Sequence, residues 1–275
     1  MKSKKYFISF DYEGLAGITN WQETLDNERC RELATDQLNA FLRGVFRSEP
    51  EAAFTIVDSH HLGNNLYWER LIGNVSLVKG YPRHFYMMEG IDASYNGLIL
   101  FGYHAPAGQP GNMDHTYSSA SIFQIRINDR EVDEASINAM LASHYQVPLL
   151  FVYTDDKGAE WMKKSISSGI EFLVAKTAIG RYAARMKPYA ITMAELEESG
   201  ERLGEQKGFL FPQEESYLCR IILIDSNIAY AVQNIPGIQA RGSREIEFEA
   251  DSMILLYKYL MTIIYVASSV RNLYK

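Results

Sequence analysis

Tyr6-Phe7-Ile8-Ser9-Phe10 is an apolar run of strand-prone residues that breaks into Asp11-Tyr12-Glu13-Gly14, so it predicts a strand ending in an acidic turn. From about Asp26 to Phe46 the residues Cys30, Leu33, Ala34, Leu38, Phe41, Leu42, Val45 and Phe46 recur at helical spacing, with Pro50 just past the end. Short buried-type strands are expected at 53–57, ending in Asp58-Ser59-His60-His61, and at 75–79, closed by Gly80-Tyr81-Pro82. Another is expected at 97–102; it ends in Tyr103-His104 and a loop with Gly108, Pro110 and Gly111. From Ile122 to Asn128 apolar and polar residues alternate, as in a strand with one wet face. A helix over 133–145 gathers Ile137, Met140, Leu141 and Tyr145 on one side, and a buried strand at 149–153 ends in Asp155-Asp156. Beyond these lie a polar, acidic helix at 192–206, strands at 217–224 and 244–249, and an apolar helix from Met253 to Val270.

Strands alternating with helices predict an α/β fold: a mostly parallel central sheet flanked by helices, with a smaller C-terminal α/β part. The expected division is a catalytic α/β domain over 1–188 and a smaller domain over 189–275, open to oligomer contacts, with the boundary near Pro188. At 275 residues, 47% hydrophobic and 22% charged, the chain has the makeup of a globular protein rather than a disordered one. Its net charge of −7 and lack of a basic patch argue against nucleic-acid binding. Lys2, Lys4 and Lys5 precede an apolar run too short for a signal peptide. Lys258 interrupts the C-terminal apolar stretch, which reads as a buried helix rather than a membrane span. With Cys30 and Cys219 read as buried thiols, the expectation is a soluble, cytoplasmic protein.

Several predicted strands end in acidic or histidine residues: Asp11 and Glu13, Asp58 and His60, His104, and Asp155 with Asp156. In open α/β sheets the carboxyl ends of the strands line the ligand crevice, so these ends converge on a candidate site. Carboxylates beside imidazoles suit zinc, manganese or iron. The absence of a cysteine pair favours a catalytic site with an open position over a closed structural cage. His115 lies in or after the glycine-rich loop, and Glu134 sits in a first helical turn, where a carboxylate also suits the helix dipole.

The motifs D-Y-E-G at Asp11, D-S-H at Asp58, G-Y-H-A at Gly102, M-D-H at Met113 and I-N-D-R-x-V-x-E from Ile127 to Glu134 resemble those of the DppA-type D-aminopeptidase family. The resemblance extends through Asn64-Asn65, Val147-Pro148, Asp155-Asp156 and Ile235-Pro236-Gly237, over most of the chain. It implies a zinc metallopeptidase that removes N-terminal D-amino acids from short peptides, with two zinc ions per chain or other divalent metals in their place. Carried over motif by motif, it implies Asp11, Glu13, His60, His104 and Glu134 as metal ligands, Asp11 as the bridge, and His115 as the catalytic histidine. It also implies a ring-like homo-oligomer, a decamer in the family, with active sites facing an internal chamber. Tyr12 stands where methionine is usual and Asp114 where serine is common, which touches substrate preference more than metal binding.

The resulting expectation is a dinuclear zinc aminopeptidase that activates water at its metals. Asp114, Asp155 and Asp156 are candidates to hold the substrate ammonium, with helix or turn capping as their alternative role. The rival readings are a metal-dependent amidase acting on another small amide or on L-peptides, and a non-catalytic metal-binding protein of the same fold.

Overall fold

A computed structural model describes residues 3–25, 28–166 and 168–272. Lys2 and Asp26, the expected start of the first long helix, lie outside the described residues. In chain order the elements are β1 (Lys5–Phe10), α1 (Trp21–Thr24), α2 (Glu28–Ser48), β2 (Ala53–Asp58), β3 (Val75–Val78) and β4 (Gly97–Tyr103). There follow β5 (Ile122–Ile127), β6 (Arg130–Val132), α3 (Glu134–His144), β7 (Leu149–Thr154), α4 (Asp156–Met162), β8 (Glu171–Val174), β9 (Lys176–Gly180) and β10 (Ala183–Met186). The chain closes with α5 (Tyr189–Glu201), β11 (Tyr217–Leu223), α6 (Ser226–Val232), β12 (Gln239–Ala240), β13 (Glu245–Ala250) and α7 (Met253–Asn272).

Six parallel strands form the central sheet in the order β3-β2-β1-β4-β7-β8. Strands β4 and β7 are buried along their whole length, as a parallel sheet covered on both faces requires. Successive side chains point to opposite faces. Tyr6, Ile8 and Phe10 therefore share one core with Phe41 and Val45 of α2 and Leu196 of α5, while Phe7 joins α3 and α7 on the other side. A second, antiparallel sheet runs β12-β13-β11-β5-β6 and packs in that other core.

The expected division at Pro188 does not separate two cores. Strand β11 pairs with β5 from the first half, and α7 packs in one cluster with Ile137 and Leu141 of α3. Helix α5 starts at Tyr189, directly after Pro188, and lies back on α2 so closely that a Cβ on Gly44 would come within 1.9 Å of the Glu197 carbonyl. The apolar stretch of α7 is long enough to cross a membrane by length and composition, but Met253, Leu256, Tyr257, Leu260, Ile263 and Ala267 are buried in the protein core.

Candidate metal centre

Strands β2, β1 and β4 are neighbours, so their carboxyl ends bring His60, Asp11 with Glu13, and His104 together. Two glycines permit the close approach. The β1 exit is tied to β4 by Asp11 N–H to Phe101 O and Gly14 N–H to Gly102 O, both 2.7 Å. A Cβ at Gly14 would lie 1.7 Å from the Tyr103 carbonyl oxygen. Gly102 has φ +84, and a Cβ there would lie 2.1 Å from the Asp11 carbonyl oxygen. Glu134 enters from the first turn of α3, whose N-cap Asp133 accepts from Ser136 N–H, and Tyr117 N–H holds its carboxylate at 2.6 Å.

The side chains of Asp11, Glu13, His60, His104 and Glu134, and of His115 from the loop after β4, are all buried. His60 Nδ1 lies 2.9 Å from the Glu13 carboxylate and 3.7 Å from Asp11 Oδ1. His104 Nε2 lies 3.5 Å from both Asp11 Oδ2 and Glu134 Oε1. His115 Nε2 lies 3.7 Å from Glu13 Oε1 and 3.8 Å from Glu134 Oε1. Two atoms held about 2.1 Å from a tetrahedral zinc stand roughly 3.4 Å apart, so most of these gaps match a shared cation better than direct hydrogen bonds. Two overlapping groups result, Asp11-Glu13-His104 and His104-His115-Glu134, each with all ligand atoms within 4.8 Å. His104 belongs to both, and the two oxygens of Asp11 face different histidines.

The imidazoles are oriented for this. His104 Nδ1 donates to the Ala105 carbonyl and His115 Nδ1 to the Met113 carbonyl, each at 2.9 Å, which turns both Nε2 lone pairs inward. The His104 Nε2 is buried with no hydrogen-bond partner among the described residues, an orphaned atom that a cation would satisfy. The two rings stack at 4.2 Å, and Tyr12 stacks on His60 at 5.3 Å.

Charge crowding sets the titration. Burial opposes protonation of His60, but Glu13 and Asp11 outweigh it and push the imidazole up to about 10. Burial likewise opposes the charged form of His104, which Asp11 and Glu134 hold well above the ordinary histidine range. Burial raises Glu134 to about 8, with Asp11 and Glu13 adding to it against His104. Burial and the neighbouring His104 bring His115 down to about 4. His115 is thus the neutral imidazole of the group.

Of the three aspartates proposed for substrate contact, none lines the cavity over this cluster. Asp155 is the N-cap of α4: it accepts from Gly158 N–H at 2.6 Å and also from Asn112 N–H at 2.9 Å. Asp156 accepts from Ala178 N–H. Asp114 accepts from Gly108 N–H and pairs with Arg181. All three are engaged in capping or turn contacts. Asp58 is also turned away, bonded to Asn65 and Leu66.

Several residues at the site carried no signal in the sequence. Lys176 is buried at the start of β9, where its ammonium donates to the Glu13 and Ile18 carbonyls. Burial, against the pull of Asp155, brings it down to about 8. The β9–β10 tip clamps the loop that carries His115. Met113 N–H bonds the Arg181 carbonyl, the Arg181 guanidinium bonds the Asp114 carbonyl, and the Asn112 amide also donates to the Arg181 carbonyl. Trp21 sits edge-on to the His115 ring at 5.8 Å. The cavity of about 400 Å³ above the cluster is walled by Trp21, Tyr81, Tyr86 and, from α7, Ile264, Tyr265 and Arg271.

The sequence model of the D-aminopeptidase family matches residues 4–262. A D-aminopeptidase of Bacillus subtilis strain 168 is 28% identical over 275 residues, covering 94% of this chain and 95% of its own length. The solved structure of the Zn-dependent D-aminopeptidase DppA from Bacillus subtilis, described as a self-compartmentalizing protease, superposes with a TM-score of 0.90 at 27% identity. That match covers 96% of this chain and 98% of the other.

Proposed function

The chain belongs to the D-aminopeptidase family, and from that membership we propose that it is a zinc aminopeptidase removing N-terminal D-amino acids from short peptides. The observation that carries the reading is the buried cluster of carboxylates and inward-turned imidazoles at the floor of an open cavity. Asp11, Glu13, His60, His104 and Glu134 would hold the two zinc ions, the two oxygens of Asp11 facing different histidines, and His115, although it stands in one ligand group with His104 and Glu134, is reserved for proton transfer. When bound, zinc supplies Lewis acidity that polarises the scissile carbonyl and lowers the pKa of water.

His115 moves the proton. Its Nδ1–H is pinned on the Met113 carbonyl, so neutral Nε2 accepts a proton at the cluster and passes it to the departing amine. Tyr12 orients His60 by stacking, and Tyr117 N–H orients Glu134. The burial of these cluster side chains strengthens each electrostatic contact among them. Ring-like homo-oligomers, decamers in the family resemblance, and a cytoplasmic location complete the proposal. The description of the Bacillus subtilis relative as self-compartmentalizing supports the assembly.

The test is His115→Ala in zinc-loaded protein, with metal content measured alongside. The reading expects two zinc ions per chain and loss of turnover by a hundredfold or more. Turnover within a few fold of wild type at full metal content would remove His115 from the mechanism, and one zinc per chain would remove the dinuclear centre.

A further inference from the structure

The cavity is electrically polar from floor to mouth. Its floor holds Asp11, Glu13 and Glu134, and among the described residues the one lysine or arginine lining it is Arg271. Arg271 is exposed and has no ion pair, hydrogen bond or ring contact among the described residues. It stands on the face of α7 that walls the cavity, since Ile264, Ser268 and Arg271 follow helical spacing and all line it. From Ile264 to Arg271 that wall runs about 10 Å at 1.5 Å per residue, the length of about three extended peptide residues.

We propose that Arg271 binds the C-terminal α-carboxylate of the peptide whose N-terminal residue lies at the metal cluster. This deepens the aminopeptidase reading and rests on it. A guanidinium presents a planar fork that matches a carboxylate in two parallel hydrogen bonds. The metal cluster takes the N-terminal residue and the cationic mouth takes the C-terminal carboxylate, so the two ends of the peptide fix its direction in the cavity. The preferred substrate class is therefore a short peptide with a free C-terminal carboxylate. Longer chains and C-terminally blocked peptides lose this contact.

The experiment compares tri-D-alanine with tri-D-alanine amide in wild type, Arg271→Gln and Arg271→Lys, all zinc-loaded. Binding of a reduced-amide analogue, as free acid and as amide, is measured by calorimetry on the same proteins. Arg271 is exposed on the last turn, so its variants keep the fold. In wild type, amidation should raise KM and weaken binding roughly tenfold or more, as loss of a charge-assisted contact does, with kcat changed less than twofold. In Arg271→Gln the free acid should weaken by a similar factor and amidation should then matter less than twofold, while Arg271→Lys recovers part of the preference. Discrimination below twofold in wild type, or full discrimination kept in Arg271→Gln, overturns the proposal. If no peptide turns over, the aminopeptidase reading falls, and the binding series decides the carboxylate site separately. Acid preference that depends on Arg271 sustains the site, and equal or absent binding of both analogues overturns it.

Discussion

Zinc uptake by this cluster should expel protons, and the number follows from the geometry. Without a cation, the carboxylates of Asp11, Glu13 and Glu134 obtain their counter-charge from protons on their neighbours. Glu13 and Asp11 overcome burial to push His60 up to about 10, and His104 is held well above its ordinary value by Asp11 and Glu134. Burial lifts Glu134 to about 8. At pH 7 both imidazoles are therefore charged, while burial holds Glu134 above the ordinary carboxylate range. Metal ligands must be neutral imidazole and carboxylate, so filling the cluster releases about two protons from His60 and His104. Each of these groups holds its proton in the metal-free state, so lowering the pH favours that state. The apparent zinc affinity should fall by about a hundredfold or more between pH 7 and pH 6. Calorimetric titration with a competing chelator, in buffers of different ionisation enthalpy, counts the protons directly. Release of fewer than one proton per chain, or an affinity that is flat over that range, would refute the charge assignment.

Three further outcomes follow from named contacts. Arg181 is 45% exposed and pairs with Asp114 at 3.2 Å, so Arg181→Ala should change stability by no more than about 1 kcal/mol, a melting shift of roughly 2–4 °C. It should nevertheless lower kcat several-fold at unchanged zinc content, because the His115 loop loses the guanidinium contacts to Asp114 and keeps its bonds to the Arg181 carbonyl; a wild-type kcat would show that the guanidinium does not position His115. Asp155→Ala strands the buried amides of Gly158 and Asn112 and should destabilise by about 2–4 kcal/mol in denaturant melts with KM unmoved, whereas a large KM increase in a stable variant would restore Asp155 to substrate binding. Gly14→Ala drives a Cβ into the Tyr103 carbonyl and should yield protein that is insoluble or cannot hold zinc, so a soluble variant with full metal content would contradict the account of the strand crossing.

Strand ends were legible because a buried β run must stop where the polarity changes, and Phe10-Asp11, Val57-Asp58 and Tyr103-His104 each mark such a stop. That these ends are adjacent was not legible, since the order β2-β1-β4 is a property of the crossovers rather than of any local pattern. Glu134 was readable as a first-turn carboxylate, and it keeps that position while its side chain turns into the cluster. Asp155 announced itself as an acidic strand end, but the same residue starts α4 and is consumed by its N-terminal amides. Lys176 gave no hint, because a lysine opening a polar hairpin reads as exposed until the loop from Glu13 to Ile18 folds over it. Pro188 suggested a boundary by breaking the chain, whereas the helix it introduces returns to α2. The wall that α7 lends to the cavity depends on where an apolar helix docks, which its own sequence does not specify.

The most direct test of the central claim is hydrolysis of D-Ala-D-Ala against L-Ala-L-Ala by zinc-reconstituted protein, with a chelator-treated control. The account predicts cleavage that favours the D-peptide and stops on chelation. Cleavage of the L-peptide alone, or D-peptide cleavage that survives complete metal removal, would contradict it.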